Sequence, residues 1–167
     1  FKGGLEVLFR AIKPSDEEEM RRLFYRFSDK AVYYRYFSPI KVMPHAKMQS
    51  YVNVDANRIL SLVGVAGPPG EERLIAEARF VKDRVRPYGE EAFIVDEQYQ
   101  GLGIASAMLE KLIKLAKERG LQGFTADVLA TNKSMLRVFE KSGLHVKAVL
   151  SEGVYELSMP FDTAPAR

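Results

Sequence analysis

The 167-residue chain contains no cysteine. Disulfides, thiolate metal ligands and a cysteine nucleophile are therefore excluded, and an intracellular, cytoplasmic location is expected. Histidine is scarce as well: His45 and His145 are the only two, and neither has a ligand-like spacing around it. A metal site is not expected from such a pair. No charge of one sign prevails, because 25 Lys and Arg stand against 22 Asp and Glu, for a net charge of +3. A nucleic-acid partner is not implied, since that function needs basic residues gathered in a patch. No apolar run approaches the ~18 residues of a membrane span, and no signal peptide is visible. The 47% of hydrophobic residues is enough for a real core. One domain is expected over residues 1–160, with 161–167 as an unstructured tail.

Patterning then divides the chain. Leu5–Ile12 reads as a strand. Ser15 and Glu18 form a capping box ahead of Met20, Leu23, Phe24 and Phe27, which share a helical face. Pro44 opens a second helix. Ile59–Ala66 and Leu74–Lys82 flank the turn GPPGEE and form an antiparallel hairpin. Glu91–Val95 is the next strand. Ile104–Arg119 is the clearest helix, with Ile104, Met108, Leu112 and Leu115 on one face and Gly120 as its stop. A strand follows at Gly123–Leu129, then a helix at Asn132–Ser142 stopped by Gly143. Leu144–Leu150 and Val154–Met159 close the chain. The order β-α-α-β-β-β-α-β-α-β-β implies an α/β fold with a mixed, mostly antiparallel sheet flanked by helices and one right-handed βαβ crossover.

That crossover begins in DEQYQGLGIASAML, Asp96 to Leu109. Gly101 and Gly103 open the helix whose first turn has free N–H groups and the positive end of the dipole. A phosphate or pyrophosphate binds readily there; a tight strand-to-helix connection without a ligand is the alternative. The dinucleotide fingerprint G-x-G-x-x-G fits poorly. Five residues, Asp96–Gln100, separate Val95 from Gly101, and antiparallel strands come first, whereas that fingerprint follows its strand at once. The Walker pattern is absent.

Gln98-Tyr99-Gln100-Gly101-Leu102-Gly103, continued by Ile104-Ala105, resembles Q/R-x-x-G-x-G/A, the acyl-coenzyme-A signature of the GNAT N-acetyltransferase superfamily. Asn132-Lys133-Ser134-Met135-Leu136 and Glu140-Lys141-Ser142-Gly143-Leu144 resemble its second motif. The resemblance covers Arg10 to about Met159 and implies the GNAT fold with its crossover at the cofactor site. Within the superfamily, Tyr33–Pro39 and NKSMLRVFEKSGL are similar to bacterial protein-lysine acetyltransferases, which often carry this domain beside an acyl-CoA-synthetase-like or regulatory domain. The resemblance therefore implies acetyl-CoA as co-substrate, no metal, a protein partner presenting a lysine, and a fused or partner regulatory domain. A small-molecule amine as acceptor, or a catalytically silent acyl-CoA-sensing module, are the alternatives.

Attack of an amine on a thioester needs a neutral amine. A lysine near pKa 10.4 is only about 0.04% neutral at pH 7, so freeing it costs roughly 4–5 kcal/mol and a positioned base is useful. Glu90 and Glu91 are candidates. Alternation puts Glu90 with Ala92 and Ile94, and Glu91 with Phe93 and Val95. By resemblance Glu90 is the base, directly or through a water; the plainer alternative is that both are solvated charges at a strand end. The resemblance also implies that the pantetheine arm pairs with Phe93, Ile94 and Val95. It puts the pyrophosphate on Gln98, Gln100, Gly101, Leu102, Gly103, Ile104 and Ala105, and sets Asn132, Met135 and Phe139 beside the arm. Asn132 also fits a plain N-cap. Many relatives have Tyr where this chain has Phe139, which has no proton to give the departing thiolate.

Overall fold

A computed structural model of the chain describes residues 1–37 and 41–161. In chain order its elements are β1 (Leu8–Ala11), α1 (Glu17–Arg26), α2 (Asp29–Tyr36), α3 (His45–Val52), β2 (Ile59–Ala66), β3 (Arg73–Lys82), β4 (Tyr88–Val95), α4 (Ile104–Glu118), β5 (Gly123–Leu129), α5 (Lys133–Glu140), β6 (Lys147–Ser151) and β7 (Val154–Pro160). The strands form one sheet in the order β1-β2-β3-β4-β5-β7-β6, antiparallel everywhere except between β4 and β5. This is the mixed, mostly antiparallel sheet expected. Its one parallel pair is joined by α4, as a βαβ crossover requires.

Period-two alternation gives the sheet two apolar faces, and each is covered by helices. On one, Ala78, Phe80, Phe93, Val95, Phe124 and Ala126 meet Ile104, Met108, Leu112 and Ala116 of α4 and Phe139 of α5. The four-residue spacing of the α4 side chains is what keeps them on one line. On the other face, Val63 and Leu74 meet Leu23 and Phe24 of α1, Val32 of α2, and Met48 and Val52 of α3. Each fully buried side chain of this size contributes roughly 1.5–3 kcal/mol.

Several elements differ from the sequence expectation. The first strand is only Leu8–Ala11, although Leu5 and Val7 still pack on the core. Ser15 does not cap α1. Asp16 takes over the turn before it, accepting the Lys13 N–H and two hydrogen bonds from Arg10, all at 2.8 Å. An ionised acceptor with a guanidinium partner outcompetes a hydroxyl. Helix α2 went unpredicted. Its aromatic residues are mediocre helix formers, and Val32 is its one buried residue, so no apolar period exists. Phe161, expected in the tail, is buried against Phe124 with ring centroids 5.0 Å apart; residues 162–167 lie outside the described residues, as do Ser38 and Pro39 of the tyrosine-rich stretch. Among the described residues no helix is long and apolar enough to cross a membrane.

Candidate active site

Strands β4 and β5 pair only at Tyr88↔Gly123, Gly89↔Phe124 and Glu90↔Thr125. Beyond that rung each continues alone on the shared side, β4 to Val95 and β5 to Leu129, while their outer edges stay paired to β3 and β7. The result is a fork closed at Glu90 and open toward α4. Backbone groups of β4 that would have met β5 are left facing the gap, ready for an added strand.

The turn at the open end is braced from beneath. Asp96, 3% exposed, accepts a 2.9 Å ion pair from Arg26 of α1, and Arg26 also donates to the Leu74 carbonyl. Gln100 donates its amide to the Val95 carbonyl at 3.2 Å, and the Gln98 side chain receives Arg73 at 3.4 Å. Gly101 and Gly103 have φ of +78° and +93°, with nothing within 4 Å of a notional Cβ. Side-chain-bearing residues resist that backbone, and the open space lets a ligand approach it. Among the described residues no side chain caps α4, which leaves its first-turn N–H groups to an anion. The side chains of Leu102, Ile104 and Ala105 turn inward onto the core; these residues have only backbone to offer at the turn.

On the other prong, Asn132 caps α5 by accepting the Met135 N–H at 3.3 Å. Met135 packs on the core beside it. Phe139 is 1% exposed and meets Phe93 edge-on, at 5.8 Å and 79°. It fills the floor of the fork and carries no hydroxyl. Helix α2 crosses the opposite side. Ser28 at its start donates to Glu97 at 2.8 Å through its backbone N–H, and Tyr34 donates to the Thr131 carbonyl at 3.1 Å. The helix thereby ties the end of β4 to the end of β5.

Glu90 is exposed on the α2 side of the sheet, at the closed end of the fork. It lines a cleft of about 640 Å³ together with Arg58, Arg84, Arg86, Asp127 and Glu156. Asp127 and Glu156 face each other across the β5–β7 rung, an arrangement that like charges disfavour without a cation nearby. A larger groove, about 930 Å³, runs along α1 past Glu17, Arg21 and Tyr25, away from the fork.

Glu91 does not fit the plainer alternative, a solvated charge at a strand end. β4 begins three residues earlier, at Tyr88, so Glu91 is mid-strand. It pairs with Phe80, is 4% exposed, and neither carboxyl oxygen finds a hydrogen-bond partner among the described residues. Burial alone pushes its carboxyl well above the usual range. The alternation with Phe93 and Val95 already signalled this burial in the sequence. The braces Arg26–Asp96 and Ser28–Glu97 carried no such signal, since they join residues about 70 positions apart.

Residues 16–144 match the sequence model of the Acetyltransferase (GNAT) family. The chain is 32% identical over 162 residues to Acetyltransferase Pat of Mycolicibacterium smegmatis, a match covering 93% of this chain and 47% of that protein. It therefore spans about half the length of that relative. The GNAT domain of S. lividans PAT has the same fold at a TM-score of 0.80 and 29% identity, over 92% of this chain and 89% of that one. Spermidine N-acetyltransferase from Vibrio cholerae, in complex with CoA and spermine, matches in fold at a TM-score of 0.71 and 14% identity, over 93% and 94% of the two chains. With the forked sheet, the glycine turn and a family match over most of its length, the chain belongs to the GNAT acetyltransferase family.

Proposed function

We propose that this chain transfers an acetyl group from acetyl-CoA to an amine, that the amine is a protein lysine side chain, and that Glu90 is the base. The fork is the observation that carries this. An extended thioester arm added to β4 at Phe93, Ile94 and Val95 would complete the sheet locally. Its phosphates would then fall on the free amides at Gly101–Ala105, with Gln98 and Gln100 holding the turn. Asn132, Met135 and Phe139 wall the other side. Backbone N–H groups of β4 would polarise the thioester oxygen at the closed end.

The amine approaches from the α2 side. There Glu90, Asp127 and Glu156 attract a protonated amine, and Glu90 takes its proton. The motif resemblance to protein-lysine acetyltransferases, together with 32% identity to Acetyltransferase Pat, favours a protein acceptor. A small polycationic amine is the second candidate, favoured by the three carboxylates at one cleft. Incubation of candidate proteins and of spermidine with acetyl-CoA, followed by mass spectrometry, separates the two. Acetylated lysine on protein is expected; no acetylated product and no thiol release with either class would overturn the assignment. Glu90→Gln should slow turnover by about 10²–10⁴-fold with little change in the KM for acetyl-CoA. Full activity of that variant from about pH 6 to 9 would show that Glu90 is not the base.

A further inference from the structure

The cleft at Glu90 holds charges of both signs, and they are sorted. Glu90, Asp127 and Glu156 come from β4, β5 and β7 and share one face of the sheet by register. Arg58, Arg84 and Arg86 come from the start of β2 and from the β3–β4 turn, beyond the closed end of the fork. Arg58 donates to the Lys82 carbonyl at 3.4 Å, which holds it beside that turn. The Arg86 guanidinium lies over the Tyr88 ring, 5.5 Å from its centroid. Tyr88 is two residues before Glu90 and so on the same face. Its ring lies across Gly123, where an added Cβ would come within 2.5 Å of it. The platform under Arg86 is therefore two strand residues from Glu90, about 7 Å.

The two sets of charges line one cleft without meeting. Among the described residues no ion pair joins these arginines to Glu90, Asp127 or Glu156. Arg86 has one carboxylate, Asp83 of its own turn, at 3.4 Å, and that carboxylate also accepts the Val85 and Arg86 N–H groups. Arg84 is exposed and pairs with no carboxylate among the described residues. Three guanidiniums around one acid repel one another, and the carboxylate of a ligand would relieve that. A guanidinium suits a carboxylate well, because it can donate two parallel N–H bonds. Asp127 and Glu156 call for the opposite, a cation. An acceptor that is cationic throughout satisfies half of the cleft and is repelled by the other half.

We propose that this cleft selects an acceptor lysine that has an aspartate or glutamate within about two residues of it along the acceptor chain. This rests on the acetyl-transfer reading above. The lysine ammonium goes to Glu90, with Asp127 and Glu156 beside it. The acidic neighbour goes to Arg84 and Arg86, with Arg58 behind them. An extended acceptor segment advances about 3.3 Å per residue, as the strand beneath it does, so two residues bridge from Glu90 to the Tyr88 platform. The arginines are specificity residues: they touch the segment beside the lysine and not the reacting atoms. The same sorting of charge disfavours spermidine, whose charges are all positive.

The test is a map of acetylation sites. A mixture of proteins is incubated with acetyl-CoA, with and without the enzyme, and mass spectrometry locates the enzyme-dependent acetyl-lysines. Lysines with an acid within two residues should be over-represented among them. In peptides that differ only by Asp or Asn beside the lysine, kcat/KM should be about 10-fold higher with Asp, the equivalent of two exposed charge contacts. That advantage should shrink as salt rises from about 0.05 M to about 0.5 M. The double variant Arg84→Glu, Arg86→Glu should reverse the preference, toward a lysine with Lys or Arg beside it. If that variant melts well below wild type, Arg84→Gln with Arg86→Gln takes its place, and the preference should vanish. Enzyme-dependent sites with no excess of acidic neighbours, or an unchanged preference in folded variants, would overturn this proposal and leave acetyl transfer standing. Acetylation of free amino acids with every protein left untouched would assign the cleft to a small zwitterion and overturn it too. No thiol release with any acceptor would remove the acetyl-transfer reading itself, and this one with it.

Discussion

Glu77 on β3 and Glu91 on β4 are both fully buried, on adjacent strands and on opposite faces of one sheet. Burial opposes the charge of each, yet the outcomes differ. Around Glu77, Arg79 and Arg35 and the Ser61 hydroxyl outweigh burial, and the carboxyl falls below its ordinary range. Ser61 donates to it at 2.6 Å and Arg35 lies at 3.8 Å, while Tyr51 stacks on the guanidinium of Arg79. Glu91 has burial only and rises. Depth therefore does not decide the state of a buried acid; the partners it is given do. Glu77 links α2 to the sheet on the acceptor side, which is a positioning task. Glu91 links to nothing among the described residues.

The largest test of this contrast removes the partnered acid. Glu77→Ala leaves the buried Arg79 and the partly buried Arg35 without a counter-charge, and breaking a buried pair typically costs about 3–5 kcal/mol. Urea unfolding should show the loss as a lower midpoint. Replacing the unpartnered acid should do the reverse. Glu91→Leu deletes a desolvated carboxyl with no hydrogen bond, for a gain of about 1–3 kcal/mol at neutral pH. A loss of stability there would mean that Glu91 has a partner after all.

The two acids should also give opposite pH dependence. The folded value of Glu91 is raised, so in the pH window above its unfolded value the folded state holds more protons than the unfolded one. Stability then falls as pH rises from about 4.3 toward the raised folded value. The advantage of Glu91→Leu over wild type should widen across that window. The folded value of Glu77 is lowered, so its contribution is complete above about 4.3 and is lost as pH falls through the folded value. Glu77→Gln should accordingly flatten the acid side of a melting-temperature profile, and Glu91→Gln the side above it. Parallel profiles for the two variants would erase the distinction.

Most of the sheet was legible because its strands alternate and its turns are marked. The bounds of β2 and β5 agree with the sequence pattern at Ile59–Ala66 and Gly123–Leu129. The glycine turn and α4 were legible for the same local reasons, and so was the N-cap at Asn132, which accepts the Met135 N–H. What the pattern missed is held by tertiary contacts. Helix α2 depends on Ser28 meeting Glu97 and Tyr34 meeting Thr131, and no local period announces it. The state of Glu91 required knowing that β4 starts at Tyr88 and that α4 and α5 close over it. Composition does not contain that, although the alternation EEAFIV already put Glu91 on the apolar face.

The smallest test acts on a single hydrogen bond. Ser61 is 1% exposed and its hydroxyl donates to Glu77 across the β2–β3 pair. Ser61→Ala leaves both arginines in place, so charge compensation survives and only one donor to the carboxylate is lost. The expected cost is about 1–2 kcal/mol, near the range for a hydrogen bond to a charged group. Because that bond helps to hold the Glu77 value down, its loss should also move the acid-side fall in stability toward higher pH. A neutral effect on both would assign the low value of Glu77 to the arginines alone. Partnership at that site would then be a matter of charge, and the contrast with Glu91 would reduce to the presence or absence of a guanidinium.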